Sequence, residues 1–179
     1  MIIPSPKGIV PKIHEKAFVA PNATIIGDVE IGEGSNIWFG AVIRGDFAPI
    51  RIGKNTSIQD NVTIHCEPGT NPAIIGDNVI AGHNCMIHGP CKIGNKITIG
   101  INATVLPHTE IGDGCVVGAN AVVTERTVIE PLTLAVGGGV SAQPKKKYTE
   151  KQISRMSLGA QLYAQNGKKF KQMFEKEKV

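Results

Sequence analysis

Three of the five histidines, His65, His83 and His88, fall in one short stretch of the 179-residue chain. An imidazole can ligate a transition metal or carry a proton near neutral pH. Three of them converging on one point would make a metal centre. Other groups able to do chemistry lie close by: Arg44-Gly-Asp46 upstream, and Gln59-Asp60 just before the first of the three histidines. His14 and His108 have no matching partners and read as solvated side chains. Whether the three can meet depends on the elements that carry them.

Those elements announce themselves as a repeat. Aliphatic residues recur every six positions at Val19, Ile25, Ile31, Ile37 and Ile43. The count resumes at Ile52, Ile58 and Ile64, then runs without a break from Ile75 through Ile87, Ile99, Ile111 and Val123 to Ala135, giving nineteen rungs. Four positions after a rung stands a small residue, among them Ala23, Ser35, Ala41, Ala103 and Ala121, and Gly often follows the rung directly. A fixed short period of this kind builds a solenoid of stacked strands. Aromatic residues make up only 4% of the chain, which suits a narrow, repetitive interior. Cys85, Cys91 and Cys115 fall at small inward positions, whereas Cys66 is expected to point outward and is not counted as a ligand. Four cysteines in a chain of this length read as reduced thiols rather than a disulfide framework.

The pattern resembles the hexapeptide-repeat family, which implies a left-handed parallel β-helix with three rungs per coil. Nineteen rungs then make about six triangular coils, with residues 1–18 as a cap. The expected domains are a β-helix over 1–144 and a basic helical segment over 145–179. In that segment Thr149-Glu-Lys-Gln152 reads as a capping box. The period is expected to stop after Gly137-Gly138-Gly139 and Pro144, and Gly159 and Gly167 mark weak points of the helix.

The register supplies geometry. Two interruptions, one within Phe47-Ala-Pro-Ile-Arg51 and one around Glu67-Pro-Gly-Thr-Asn-Pro72, read as corner bulges, where solenoids carry function. With both treated as bulges, Arg44, His65 and His88 share one column, about 4.8 Å apart per coil. His83 lies on the adjacent face, with Asp60 one coil below it. Two imidazoles can share a metal on one face while the third comes from a neighbouring prism, so the register predicts a homotrimer with metal sites between subunits.

Arg44-Gly-Asp46, Gln59-Asp60-Asn61, Ile64-His65, Gly82-His83 and Ile87-His88-Gly89 together resemble the γ-class carbonic anhydrases over roughly residues 10–140. The resemblance implies Zn2+, or Fe2+ or Co2+ in its place, held by His65, His83 and His88. It also implies reversible hydration of CO2 to bicarbonate, with water activated on the metal as the nucleophile. Gln59 would orient that nucleophile, and Arg44 and Asp46 would pair across the seam. The acidic loop of the founding branch is absent, and the branch without it offers a tyrosine from the C-terminal helix, here Tyr163. Two other readings use the same fold: an acyl-CoA-dependent transferase, and a catalytically silent metal-binding trimer.

Charge and hydropathy bound the setting. Residues 145–179 hold ten Lys/Arg against three Glu, while the rest of the chain carries nine basic and twelve acidic residues. The tail reads as a solvated helix face, so neither nucleic acid nor membrane is expected as a partner. Pro4, Pro6 and Lys7 interrupt any apolar leader, and a cytoplasmic location is the expectation.

Overall fold

A computed structural model describes residues 1–137, 141–156 and 158–176. The six-residue period folds as expected into a left-handed parallel β-solenoid, followed by helices α1 (Glu150–Met156) and α2 (Leu158–Lys176). Rung residues stack on like residues of the next coil: Ile25 on Ile43, Ile43 on Ile64, Ile64 on Ile87, Ile87 on Val105 and Val105 on Val123. This column forms one face of the prism. A second carries Ile31, Ile52, Ile75, Ile93, Ile111 and Ile129, and a third Val19, Ile37, Ile58, Ala81, Ile99, Val117 and Ala135.

The solenoid has about seven coils rather than six. Ile2 pairs with Ile25 and Ile13 with Ile31, so the segment read as a cap contributes strands of its own. The interval from Ile2 to Ile13 equals that from Ile64 to Ile75, a bulged coil that a six-step count cannot see at a chain end.

Inside, Ile25, Ile43, Ile64, Ile87 and Ile99 are fully buried, each such side chain worth about 1.5–3 kcal/mol of transfer free energy. Coils approach closely at the corners. A Cβ on Gly76 would fall 2.5 Å from the Gly94 carbonyl oxygen, which is why the residue after a rung has no side chain there.

Lys145, Lys146 and Lys147, assigned to the helical segment from the sequence, lie instead in a strand (Gln143–Lys147) antiparallel to Thr133–Val136. That strand covers the end of the third face. Gly138 and Gly139 of the expected break lie outside the described residues. The capping box forms as expected: Gln152 Oε1 accepts from the Thr149 backbone N–H at 2.9 Å, and Thr149 Oγ1 accepts from the Gln152 N–H at 3.3 Å. From there α2 runs along the third face, where Phe18, Trp38 and Phe39 meet Tyr163, Phe170 and Phe174. Gly167 is no break but the point of closest approach, since a Cβ there would sit 2.8 Å from the Asn36 Cβ. Among the described residues, no helix is long and apolar enough to cross a membrane.

Candidate metal centre

His65 and His88 occupy paired positions on adjacent strands, Thr63–Cys66 and Met86–Gly89. Strand alternation turns Ile64 and Ile87 inward, so the next side chain points out. The two imidazole rings stand 5.6 Å apart. Arg44 pairs with His65 one coil below, completing the expected column.

The same alternation corrects the reading of Cys66. It is fully buried, and a Cβ on its partner Gly89 would meet its Sγ at 2.7 Å. An outward His65 dictates an inward Cys66. Burial pushes the Cys66 thiol above its ordinary range and the Cys85 and Cys91 thiols up to about 12, and all three side chains lie in the interior.

Arg44 and Asp46 pair within the chain, Nη1 to Oδ2 at 2.6 Å. Both sit on one bulged strand, Val42–Ile52, two residues apart. Asp46 Oδ1 lies 3.1 Å from His65 Nε2. Burial alone would raise the Asp46 carboxyl pKa, but the hydrogen bonds from Arg44 and His65 outweigh it and hold it below the usual range. For His65 the order reverses: burial dominates over the pull of Asp46 and lowers the imidazole pKa. A neutral ring is the form that binds metal. Phe47, in the first bulge, lies against the His65 ring with centroids 5.3 Å apart, and the Arg44 guanidinium sits 5.7 Å from the Phe47 centroid.

His83 lies elsewhere, in the turn between Ile80–Ala81 and Met86–Gly89. It precedes the strand that carries His88 by a turn and so leaves from a different corner of the coil. Among the described residues, no three His, Cys, Asp or Glu side chains of one chain are placed to hold an ion together. Two neighbours from the coil below grip His83. Asp60 Oδ2 lies 2.9 Å from its Nδ1, and Gln59 Oε1 accepts from its backbone N–H at 3.2 Å. Gln59 is buried.

Tyr163 packs within the chain on the aromatic seam. Its ring sits edge-on to Trp38 at 6.1 Å, two coils below the level of His83. His108 lies 3.7 Å from Glu67 and His14 accepts from the Lys16 N–H, so both have local partners. The partners of the histidine rings, Asp46 and Asp60, were not assigned from the sequence. The available signal was positional: Asp60 holds the place one coil below His83 that His83 holds in its own coil.

The donor set suits a divalent first-row metal. Two imidazoles share one face with ring centroids 5.6 Å apart, and a third is anchored through Nδ1 at a corner, which leaves its Nε2 as the free ligand atom.

Comparisons with known proteins agree on the fold and divide on activity. The family model "Bacterial transferase hexapeptide (six repeats)" matches residues 11–45 and 90–125. A carbonic anhydrase of Geobacillus kaustophilus is 51% identical over 82 residues, covering 46% of this chain and 44% of the relative. Mitochondrial gamma carbonic anhydrase 1 of Arabidopsis thaliana is 48% identical over 84 residues, covering 44% of this chain and 30% of the relative. The matches thus span less than half the length of these curated relatives. A crystal structure from Bacillus cereus, of a protein provisionally named an acetyltransferase, superposes with a TM-score of 0.89 at 37% identity, covering 97% of this chain and 98% of that one.

Proposed function

The chain belongs to the hexapeptide-repeat family, and we propose that within it this protein is a metal-dependent carbonic anhydrase acting at sites between the subunits of a homotrimer. The observation that carries the reading is the stacked pair His65 and His88 on one face, with no third His, Cys, Asp or Glu of the same chain placed to complete a metal site among the described residues. The names of the curated relatives support it.

His65 and His88 of one subunit and His83 of its neighbour would hold Zn2+, or Fe2+ or Co2+ in its place. A divalent cation held there supplies hydroxide from water near neutral pH. Asp46 and Asp60 orient the rings of His65 and His83. Gln59, anchored to the His83 backbone, orients the attacking water toward CO2. The Arg44 guanidinium on the same face attracts the bicarbonate anion that forms.

The test is CO2 hydration by protein purified without oxygen or chelator and reconstituted with zinc, cobalt or iron(II). Activity with metal, lost in His65→Ala, His83→Ala and His88→Ala together with the metal itself, is the expected result. Sharing between subunits has its own test. Trimers of His65→Ala and of His83→Ala, dissociated and reassembled together, should regain metal, because one of the three seams in a mixed trimer is whole. Metal content no higher than in the separate mutants would overturn the shared site. The name of the Bacillus cereus structure favours a second reading, an acyl-CoA-dependent transferase. Acetyl transfer from acetyl-CoA by metal-free protein, without CO2 hydration by metal-loaded protein, would establish it instead.

A further inference from the structure

We propose that Asp60 is a positioning residue that selects the tautomer of His83, so that Nε2 carries the lone pair and faces out to bind metal; this rests on the metal-site reading above. A neutral imidazole has one donor and one acceptor nitrogen, and an ionised carboxylate only accepts. Asp60 Oδ2 is 2.9 Å from His83 Nδ1, so the proton belongs on Nδ1. The carboxylate cannot swing away freely, because its other oxygen, Oδ1, accepts the Phe39 backbone N–H at 3.0 Å from the coil below. The His83 backbone is held in turn by Gln59 Oε1. Three coils in succession, contributing Phe39, Asp60 and His83, thus form a hydrogen-bonded line that ends on the outward nitrogen. The His83 side chain is 40% exposed, and among the described residues Asp60 is its ring partner.

This line makes a sharp forecast for Asp60→Asn. Asparagine has one acceptor where aspartate has two. If that oxygen keeps the Phe39 N–H, the amide N–H group turns to His83 Nδ1 and can only donate. The ring proton then moves to Nε2, the nitrogen needed for metal.

The experiment compares the wild-type chain with Asp60→Asn, using histidine ring 15N shifts in zinc-free protein at mildly alkaline pH and zinc affinity by chelator competition. Wild-type His83 should be protonated on Nδ1. In Asp60→Asn the tautomer should reverse and zinc affinity fall about 10- to 100-fold, with the His65 ring unaffected. Asp60→Glu, which restores an acceptor-only group, should recover the Nδ1-protonated form and part of the affinity. If Asp60→Asn does not fold, Asp60→Ala removes the same acceptor and is read the same way. An unchanged His83 tautomer overturns the proposal, even if zinc affinity falls, because the loss would then be structural. A reversed tautomer with undiminished zinc affinity overturns it as well. Failure of the underlying reading looks different: the wild-type chain itself would bind no zinc, whatever the tautomer of His83.

Discussion

Among the described residues the interior of the prism is built mainly of aliphatic side chains, whereas the seam beneath α2 gathers six of the eight aromatic residues: Phe18, Trp38, Phe39, Tyr163, Phe170 and Phe174. Both regions bury apolar surface, yet by opposite means. Coils stacked about 4.8 Å apart must present nearly the same shape to each other, so branched aliphatics of similar size recur on every level. The seam is used once. It can accept rings at the varied angles seen here, from the nearly parallel Phe18–Phe174 pair at 11° to the nearly perpendicular Trp38–Phe170 pair at 84°. Repetition makes the prism uniform along its length, while irregularity gives the helix one address on it. The candidate metal centre belongs to neither region. It sits on the outward surface, where the uniform stack sets distances and the first bulge brings Phe47 against His65.

If that contrast is right, damage in the two regions should spread differently. Ile64→Ala opens a cavity in a fully buried level directly beneath the His65–His88 pair. It should cost about 2–5 kcal/mol, read as a lower denaturant midpoint of the whole prism with loss of metal binding. Phe170→Ala removes the ring that touches Phe18, Trp38, Phe39 and Phe174. About 2 kcal/mol should go, confined to the helix: amide exchange in α2 should accelerate while the strands keep their protection. A global loss of protection in Phe170→Ala would show that the seam is not a separate cooperative unit. The smallest effect is expected at Thr149→Ala, where one half of the capping box disappears. The cost should be about 1 kcal/mol, seen as fraying of α1 without change in metal affinity.

Much of this was legible in the sequence, because a six-residue count needs only one-dimensional information. The column Arg44, His65, His88 followed once both bulges were treated as insertions, and the register bears out their placement. What was missed has a common cause. A count of rungs alone turns Cys66 outward, whereas alternation along the strand makes the neighbour of an outward His65 face inward. The extra N-terminal coil hid because one long interval separates Ile2 from Ile13, with no earlier rung to reveal it as a bulge. The contacts of His83 with Gln59 and Asp60 cross from one coil to the next, so the partners stand far apart in sequence. The aromatic seam joins both ends of the chain, and no local pattern forecasts which face of the prism a helix will choose.

The bulges carry one more consequence. The strand Val42–Ile52 contains three residues more than the period requires, yet Arg51 and Ile52 still align with Glu30 and Ile31 on one side and with Ile74 and Ile75 on the other. The larger insertion after Ile64 is absorbed in the same way, since Ile75 returns to its place over Ile52. Errors of phase therefore do not accumulate: each coil takes its alignment afresh from the one beneath it. A corner loop can lengthen or shorten over evolutionary time while the spacing of His65 and His88 stays the same, so the chemistry around the site is free to vary against a frame that recalibrates itself at every level.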